Sequence, residues 1–322
     1  MIPAIDASAL FGGPSSARNS VDAALAAAAR ETGFMTVTGL PGDVLAAETR
    51  KRLLAVFALS DAGKRALSRR NFVPENANVY RGWFPLQDGH PTYKEGIDIG
   101  PDLVRARRPD PEDPLTEPTP LPDLPEWRAA AAEYYRAMES LGAKLMQALA
   151  RGLGLSETVF DAAFRNGIST LRLIRYPVRR VQDLDPALRI GSGYMLGAPH
   201  VDSGFVTLLA QDGVAGLEVE DRAGNWIGVT PTEGTLVVNF GKLLERWTGG
   251  KVRATKHRVV GSGAERFSIP FFYEPAVDAV IAPLGLGDSF EPVAYGDHLW
   301  EATTQFIEQR GIAHLRKPRA AQ

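Results

Sequence analysis

Apolar and polar residues follow two different rhythms along this chain, and the change falls near Gly167. Before it, Trp127, Ala131, Tyr134, Met138, Leu141, Leu145 and Leu149 recur three and four apart, which predicts a long amphipathic helix with Pro125 near its start. Shorter helices are predicted at 21–31, with Ser20 as N-cap and Gly33 as stop, and after Asp43, with Val44, Leu53, Leu54 and Phe57 turned inward. A further one follows Ser156 and carries Phe160 and Phe164. After Gly167 the apolar runs shorten to 171–176, 204–211, 216–220, 226–229, 235–239, 257–260 and 267–273, divided by Gly, Pro, Asp and Asn. Many short strands punctuated in this way predict a sandwich or barrel, with residues 221–225 turning one hairpin.

The remaining stretches predict less. Residues 3–6 and 34–37 read as short strands, and 71–100 as loop whose mixed aromatic and charged residues can line a pocket but more often cover a core or face water. Proline and acid in 101–125 predict an extended surface excursion, either a lid or a wrap. Residues 241–247 read as one or two helical turns ended by Gly249 and Gly250. The tail reads as helix, capped by Asp297, with Trp300, Phe306 and Ile307 on its buried side.

Composition narrows the chemistry. A length of 322 residues suits one large domain or two modest ones, and a formal charge of -2 gives no broad pull toward nucleic acid or an anionic membrane. A small-molecule partner is expected, with no nucleic acid and no membrane; the oligomeric state stays open. Cysteine is absent, which excludes disulfides, thiolate zinc sites and nucleophilic thiols, so any metal must be held by nitrogen and oxygen. The first residues lack a basic flank leading into a long apolar run, and no stretch nears the roughly 18 apolar residues of a membrane span. A cytoplasmic protein is expected.

Against that background the stretch from His200 to Ser268 stands out. His200 and Asp202 are two apart, as are Arg266 and Ser268, and in a strand residues two apart share a face. His200, Asp202 and a second imidazole at His257 can hold one ion while leaving its opposite side open, the arrangement of non-haem ferrous oxygenases. Arg266 and Ser268 offer a fork of N–H donors and a hydroxyl suited to a carboxylate. His90, His298 and His314 have no matching carboxylate and read as structural or solvent-facing. A lone His-x-Asp says little; the order of Tyr176-Pro177, His200-x-Asp202, His257 and Arg266-x-Ser268 says more.

In that order, and in the segments LRLIRYP, APHVDSGFVTLLAQD, GLEVEDRAGNW, NFGKLLERWTGGKVRATKHRVV and ERFSIPFFYEP, the sequence resembles the isopenicillin N synthase-like, or plant-type, branch of the Fe(II)/2-oxoglutarate-dependent dioxygenases. The resemblance implies an α+β fold, a double-stranded β-helix (jelly roll, cupin-like) core with flanking α-helices. As one catalytic unit over 1–322 it would comprise a mixed helix and strand region at 1–100, a proline-rich excursion and long helix at 101–168, the jelly roll at 169–280 and a helical tail at 281–322.

It further implies Fe(II) held by His200, Asp202 and His257, 2-oxoglutarate held at its distal carboxylate by Arg266, Ser268 and Tyr176, consumption of O2, and ascorbate as a stimulant. The implied reaction oxidises, by default hydroxylates, a small-molecule C–H bond with release of succinate and CO2. In the alternative, shared by isopenicillin N synthase and aminocyclopropane carboxylate oxidase, no 2-oxoglutarate is used and Arg266 and Ser268 hold the substrate's own carboxylate. Lys242 stands where the family usually has aspartate. Strand parity adds Arg172, Ile174, Phe272 and Glu274 as substrate-pocket candidates; otherwise Arg172 and Glu274 pair with each other or with the surface.

Overall fold

The change of rhythm marks the boundary between a helical layer and the sheets it covers. A computed structural model describes residues 2–87, 92–106, 108–180, 184–287 and 289–319, which leaves His90 outside the described residues. The first part contains β1 (Ala4–Asp6), α1 (Ser16–Glu31), β2 (Phe34–Thr38), α2 (Ala47–Leu54), α3 (Asp61–Ala66), β3 (Gly82–Phe84), β4 (Glu95–Ile99), α4 (Pro125–Gly152) and α5 (Asp161–Phe164). Strands then dominate: β5 (Thr170–Tyr176), β6 (Arg189–Ile190), β7 (Gly193–His200), β8 (Val206–Gln211), β9 (Leu217–Glu220), β10 (Trp226–Gly228) and β11 (Leu236–Phe240). After α6 (Lys242–Trp247) come β12 (His257–Gly261), β13 (Arg266–Tyr273), β14 (Val280–Ile281), β15 (Val293–Ala294) and α7 (Tyr295–Thr303).

Eight strands form one sheet in the order β1-β2-β11-β8-β13-β5-β4-β3, and five form a second in the order β10-β9-β12-β7-β6. The sheets face each other. Ile174 and Tyr176 of β5 pack with Tyr194 and Leu196 of β7 and Val259 of β12, while Phe34 and Val237 meet Leu217 and Val219. The outer face of the large sheet is covered by α4, where the Tyr135 ring meets Phe271 edge-on at 4.9 Å between centroids. The result is the expected jelly roll, although four strands of the large sheet, β1 to β4, come from before residue 169.

Helix α4 can lie this close because Gly142 faces the sheet: a Cβ there would stand 2.5 Å from Cγ of Tyr273. Overpacking of this kind costs about 1–3 kcal/mol, so Gly142→Val should lower the stability by about 2 kcal/mol. An unchanged denaturation midpoint would contradict this packing.

Several predicted boundaries move for local reasons. Helix α1 starts a turn earlier than expected, capped by Ser15, whose Oγ accepts from Arg18 N at 3.2 Å. Asp43 does not cap α2; its carbonyl takes Ala46 N and the Thr49 hydroxyl in the turn before the helix. Ser156 meets Thr158 instead of capping α5, which begins only at Asp161. Asp297 lies inside the first turn of α7, where it binds Arg316 Nη1 at 2.5 Å and Arg319 N.

Residues 71–100 are not all loop, since they supply β3 and β4. The buried polar residues of β4, Glu95 and Asp98, are matched by distant cations, which an apolar pattern does not reveal. The 101–125 excursion is a wrap. Glu117 accepts backbone N–H groups of Val79 and Tyr80 at 2.9 and 2.6 Å, and buried Asp113 pairs with Arg316 Nε at 2.9 Å. Among the described residues no helix is long and apolar enough to cross a membrane.

Candidate metal centre

His200 ends β7 and His257 begins β12, and the antiparallel register makes them cross-strand partners with ring centroids 4.3 Å apart. Asp202 is brought to them differently from the strand-parity expectation. β7 stops at His200, so Asp202 lies in the loop beyond it. The start of α6 grips that loop: Lys242 N donates to the Asp202 carbonyl at 2.8 Å and Leu243 N to that of Ser203 at 3.1 Å. Gly241 permits the approach, because a Cβ there would meet the Gly204 carbonyl oxygen at 2.4 Å. Lys242 thus acts through its backbone while its side chain is exposed.

Asp202 Oδ1 stands 3.6 Å from His200 Nε2 and 3.7 Å from His257 Nε2, and one ligand atom from each of the three residues lies within 4.8 Å of the others. The groups behind them set their orientation. His200 Nδ1 faces the Ala198 carbonyl at 2.8 Å and His257 Nδ1 that of Thr255 at 3.2 Å. A proton on Nδ1 satisfies each carbonyl and leaves the Nε2 lone pair free for a metal. Asp202 Oδ2 accepts from Thr207 at 2.6 Å and Asn239 at 2.7 Å, which leaves Oδ1 toward the imidazoles.

Burial, helped by the neighbouring His257, pushes the His200 imidazole down to about 4, so it is neutral at physiological pH, as ligation requires. Burial also acts on Asp202, in the raising direction. The two imidazoles and the Thr207 and Asn239 hydrogen bonds outweigh it and hold the carboxyl below its usual range. Two nitrogens and one carboxylate oxygen on one side of an open cavity fit a divalent iron.

On the facing sheet Arg266 pairs in register with Tyr176 and Ser268 with Ile174. The Arg266 side chain is buried, and its Nε and Nη1 have no hydrogen-bond partner among the described residues. Its guanidinium lies 5.1 Å from the centroid of the Tyr176 ring. Burial lowers the pKa of Arg266, and only Tyr176 opposes that shift. A buried cation without a carboxylate is costly, and the cost is relieved by an anion.

A cavity of about 410 Å³ runs from Tyr176 past His200 and Asp202 to Arg172, Phe272 and Glu274. Ile174 points inward as parity requires but packs against Tyr176, Tyr194, Leu196 and Val259, away from the cavity lining. Arg172 pairs with Asp98, not with Glu274. Phe306, expected on the buried side of a helix, is 43 % exposed and lies past the end of α7, its ring 6.3 Å from that of His200. The sequence reading missed Thr207 and Asn239, whose signal was a polar residue within an apolar strand. It also missed Asp98 and the 303–310 segment, for which there was no local signal, while Lys94, in a stretch read as covering a core or facing water more often than lining a pocket, does line the cavity. His298 is structural, its Nε2 2.9 Å from the Ser203 carbonyl, and His314 is exposed.

Burial pushes Glu274 from an ordinary 4.5 up to about 7, against the opposing pull of Arg81. Between those values the unfolded chain releases a proton that the folded chain keeps, so stability falls as pH rises from 4.5 to 7 and stays reduced above it. Glu274→Gln removes this penalty. It should match the parent at pH 4 and exceed it by up to about 3 kcal/mol at pH 8; a stability difference independent of pH would contradict this.

Comparisons with known proteins show the family. Residues 169–275 match the model of the 2OG-Fe(II) oxygenase superfamily, and 2–127 that of the non-haem dioxygenase in morphine synthesis N-terminal region. The chain is 31 % identical over 298 residues to the 2-oxoglutarate-Fe(II) type oxidoreductase hxnY of Emericella nidulans, covering 86 % of this chain and 80 % of that one. It is 30 % identical to isopenicillin N synthase of Streptomyces clavuligerus over 96 % of this chain and 97 % of the other. The crystal structure of a full-length Neurospora crassa protein in complex with alpha-KG and 5-formyluracil superposes with a TM-score of 0.79 and 25 % identity, covering 95 % of this chain and 96 % of that one.

Proposed function

Since the chain belongs to the 2-oxoglutarate and Fe(II)-dependent oxygenase superfamily, we propose that His200, Asp202 and His257 hold its iron and that Arg266, Ser268 and Tyr176 hold 2-oxoglutarate. The protein is a non-haem iron dioxygenase. The reaction proposed is hydroxylation of a C–H bond in a small molecule seated in the cavity, with Phe272 and Glu274 in its wall. The observation that carries the residue roles is a buried guanidinium whose Nε and Nη1 have no hydrogen-bond partner among the described residues, on the sheet facing the one that carries the two imidazoles beside a carboxylate.

When bound, ferrous iron supplies the redox chemistry that couples 2-oxoglutarate decarboxylation to oxidation of the substrate. The chain supplies the rest. Asp202 and the two Nε2 atoms would hold the ion at the cavity wall, where cosubstrate and substrate could reach it. The Arg266 fork and the Ser268 hydroxyl fix the far carboxylate of 2-oxoglutarate, with the Tyr176 phenol as a further donor. Thr303 and residues 305–310 line the cavity beside His200.

Use of 2-oxoglutarate is favoured over the oxidase that dispenses with it, because hxnY and the Neurospora crassa complex are both described with that cosubstrate. Anaerobic titration with Fe(II) and then 2-oxoglutarate should give saturable binding of each, followed in air by succinate formation stimulated by substrate. Failure to bind 2-oxoglutarate in the presence of iron would defeat the cosubstrate assignment.

A further inference from the structure

The far end of the cavity is electrically unbalanced. Arg172 Nε and Nη2 donate to the two oxygens of Asp98 at 2.5 and 2.8 Å, and its guanidinium lies between the Phe84 and Phe272 rings at 5.4 and 5.5 Å from their centroids. This holds the group rigidly. Its Nη1 makes no hydrogen bond among the described residues, and Arg172 lines the cavity.

Asp98 does not neutralise Arg172 alone, because the fully buried Arg69 also pairs with it, and Nε and Nη1 of Arg69 have no hydrogen-bond partner among the described residues. Lys94 lines the same cavity and meets Glu308 at 2.8 Å. Three cations, Arg69, Lys94 and Arg172, therefore share two carboxylates, Asp98 and Glu308. Including Arg81 and Glu274 behind them does not reduce the positive excess, since that adds one of each sign at most.

Strand β5 sets the distance between this end and the cosubstrate end. Tyr176 faces Arg266 across the sheet, and Arg172 is four residues back on the same face, roughly 13 Å away at about 3.3 Å per residue. Lys94, Arg172 and His200 line the same cavity, so an anion held at this end stands in one space with the metal site. Resting on the oxygenase reading of the cavity, we propose that the substrate is a small organic acid whose carboxylate binds between Arg172 Nη1 and Lys94, with its oxidised carbon turned toward the His200 side. A buried positive excess is relieved by an anion, left uncompensated by a neutral amide and opposed to an amine.

The test uses the full chain loaded anaerobically with Fe(II) and saturating 2-oxoglutarate, so that Arg266 is occupied. Phenylacetate and hexanoate are titrated calorimetrically beside phenylacetamide and hexanamide. At least one acid should bind about tenfold or more tighter than its amide, and Arg172→Gln should remove that preference. Asp98 keeps Arg69 as partner in this variant, so folding is expected. Lys94→Gln is the second variant and should weaken the acid without affecting the amide.

Equal binding of acid and amide overturns the proposal, as does no binding of any pair at about 10 mM, or a preference that survives both substitutions. The visible charge-transfer band of the iron and 2-oxoglutarate complex separates this outcome from failure of the oxygenase reading. A band without acid preference defeats the acid substrate alone. No band, with acid binding still lost in Arg172→Gln, defeats the metal-site reading and leaves the anion site standing.

Discussion

Asp202→Ala is expected to abolish ferrous binding and to lower 2-oxoglutarate turnover by more than about a hundredfold. The bound comes from comparison with lesser damage: losing a residue that only orients a metal ligand costs about 10–100-fold in affinity, and Asp202 is the group being oriented. Its Oδ1 stands 3.6 and 3.7 Å from the two Nε2 atoms, and its carboxylate carries the only negative charge of the three groups. The substitution also leaves Thr207 and Asn239 without their shared acceptor, at about 1–3 kcal/mol for each buried group unmade. A loss of stability is therefore expected as well.

Asn239→Ala separates the two effects. It keeps the carboxylate but removes one of the two hydrogen bonds to its Oδ2, leaving that of Thr207, and should weaken iron by about 10–100-fold in a folded protein. Anaerobic iron titration and succinate assays read both variants. Parental iron affinity in Asp202→Ala would remove the carboxylate from the ligand set.

What could be read from the sequence follows from how far each signal reaches along the chain. His200, Asp202, Arg266 and Ser268 were visible as pairs two apart, and the structure sets His200 opposite His257 in one sheet and Arg266 opposite Tyr176 in the other. The reason given for the first pair was incomplete. Asp202 is placed by the α6 backbone 40 residues later in sequence, not by a strand that continues past His200.

The strand that carries His200, β7, escaped notice because Gly193, Gly197 and Pro199 interrupt its apolar character. Gly197 has a packing reason to be there, since a Cβ would press on Val259 at 3.3 Å. β4 was hidden by Glu95 and Asp98, charges that look solvent-facing until Lys64, Arg69, Arg172 and Arg175 are brought to them by the fold. Phe306 looked like the inward side of a helix, but α7 ends at Thr303 and the ring is left beside His200. Periodicity records which face of one element is covered. It does not record charges matched across 30 or 70 residues, and those charges build the far wall of the cavity.

Arg266→Gln should raise the dissociation constant for 2-oxoglutarate by about a hundredfold or more, since breaking a buried charge pair costs about 3–5 kcal/mol. The effect on the unliganded protein should have a different sign. Without its anion the Arg266 guanidinium is buried with two nitrogens unmatched, a cost to folding that glutamine reduces, so the variant alone should be no less stable than the parent. The difference should appear when ligand is added. At a 2-oxoglutarate concentration 100 times its dissociation constant, binding stabilises the parent by about 2.7 kcal/mol, and the variant at the same concentration should gain less than about 0.5 kcal/mol. Arg266→Lys keeps the charge but loses the planar fork and should fall between them. Thermal unfolding with iron, with and without 2-oxoglutarate, measures all three proteins. An equal gain in parent and variant would place the cosubstrate away from Arg266. No gain in the parent, together with iron-dependent oxygen consumption on a carboxylate substrate, would instead assign the fork to the substrate itself.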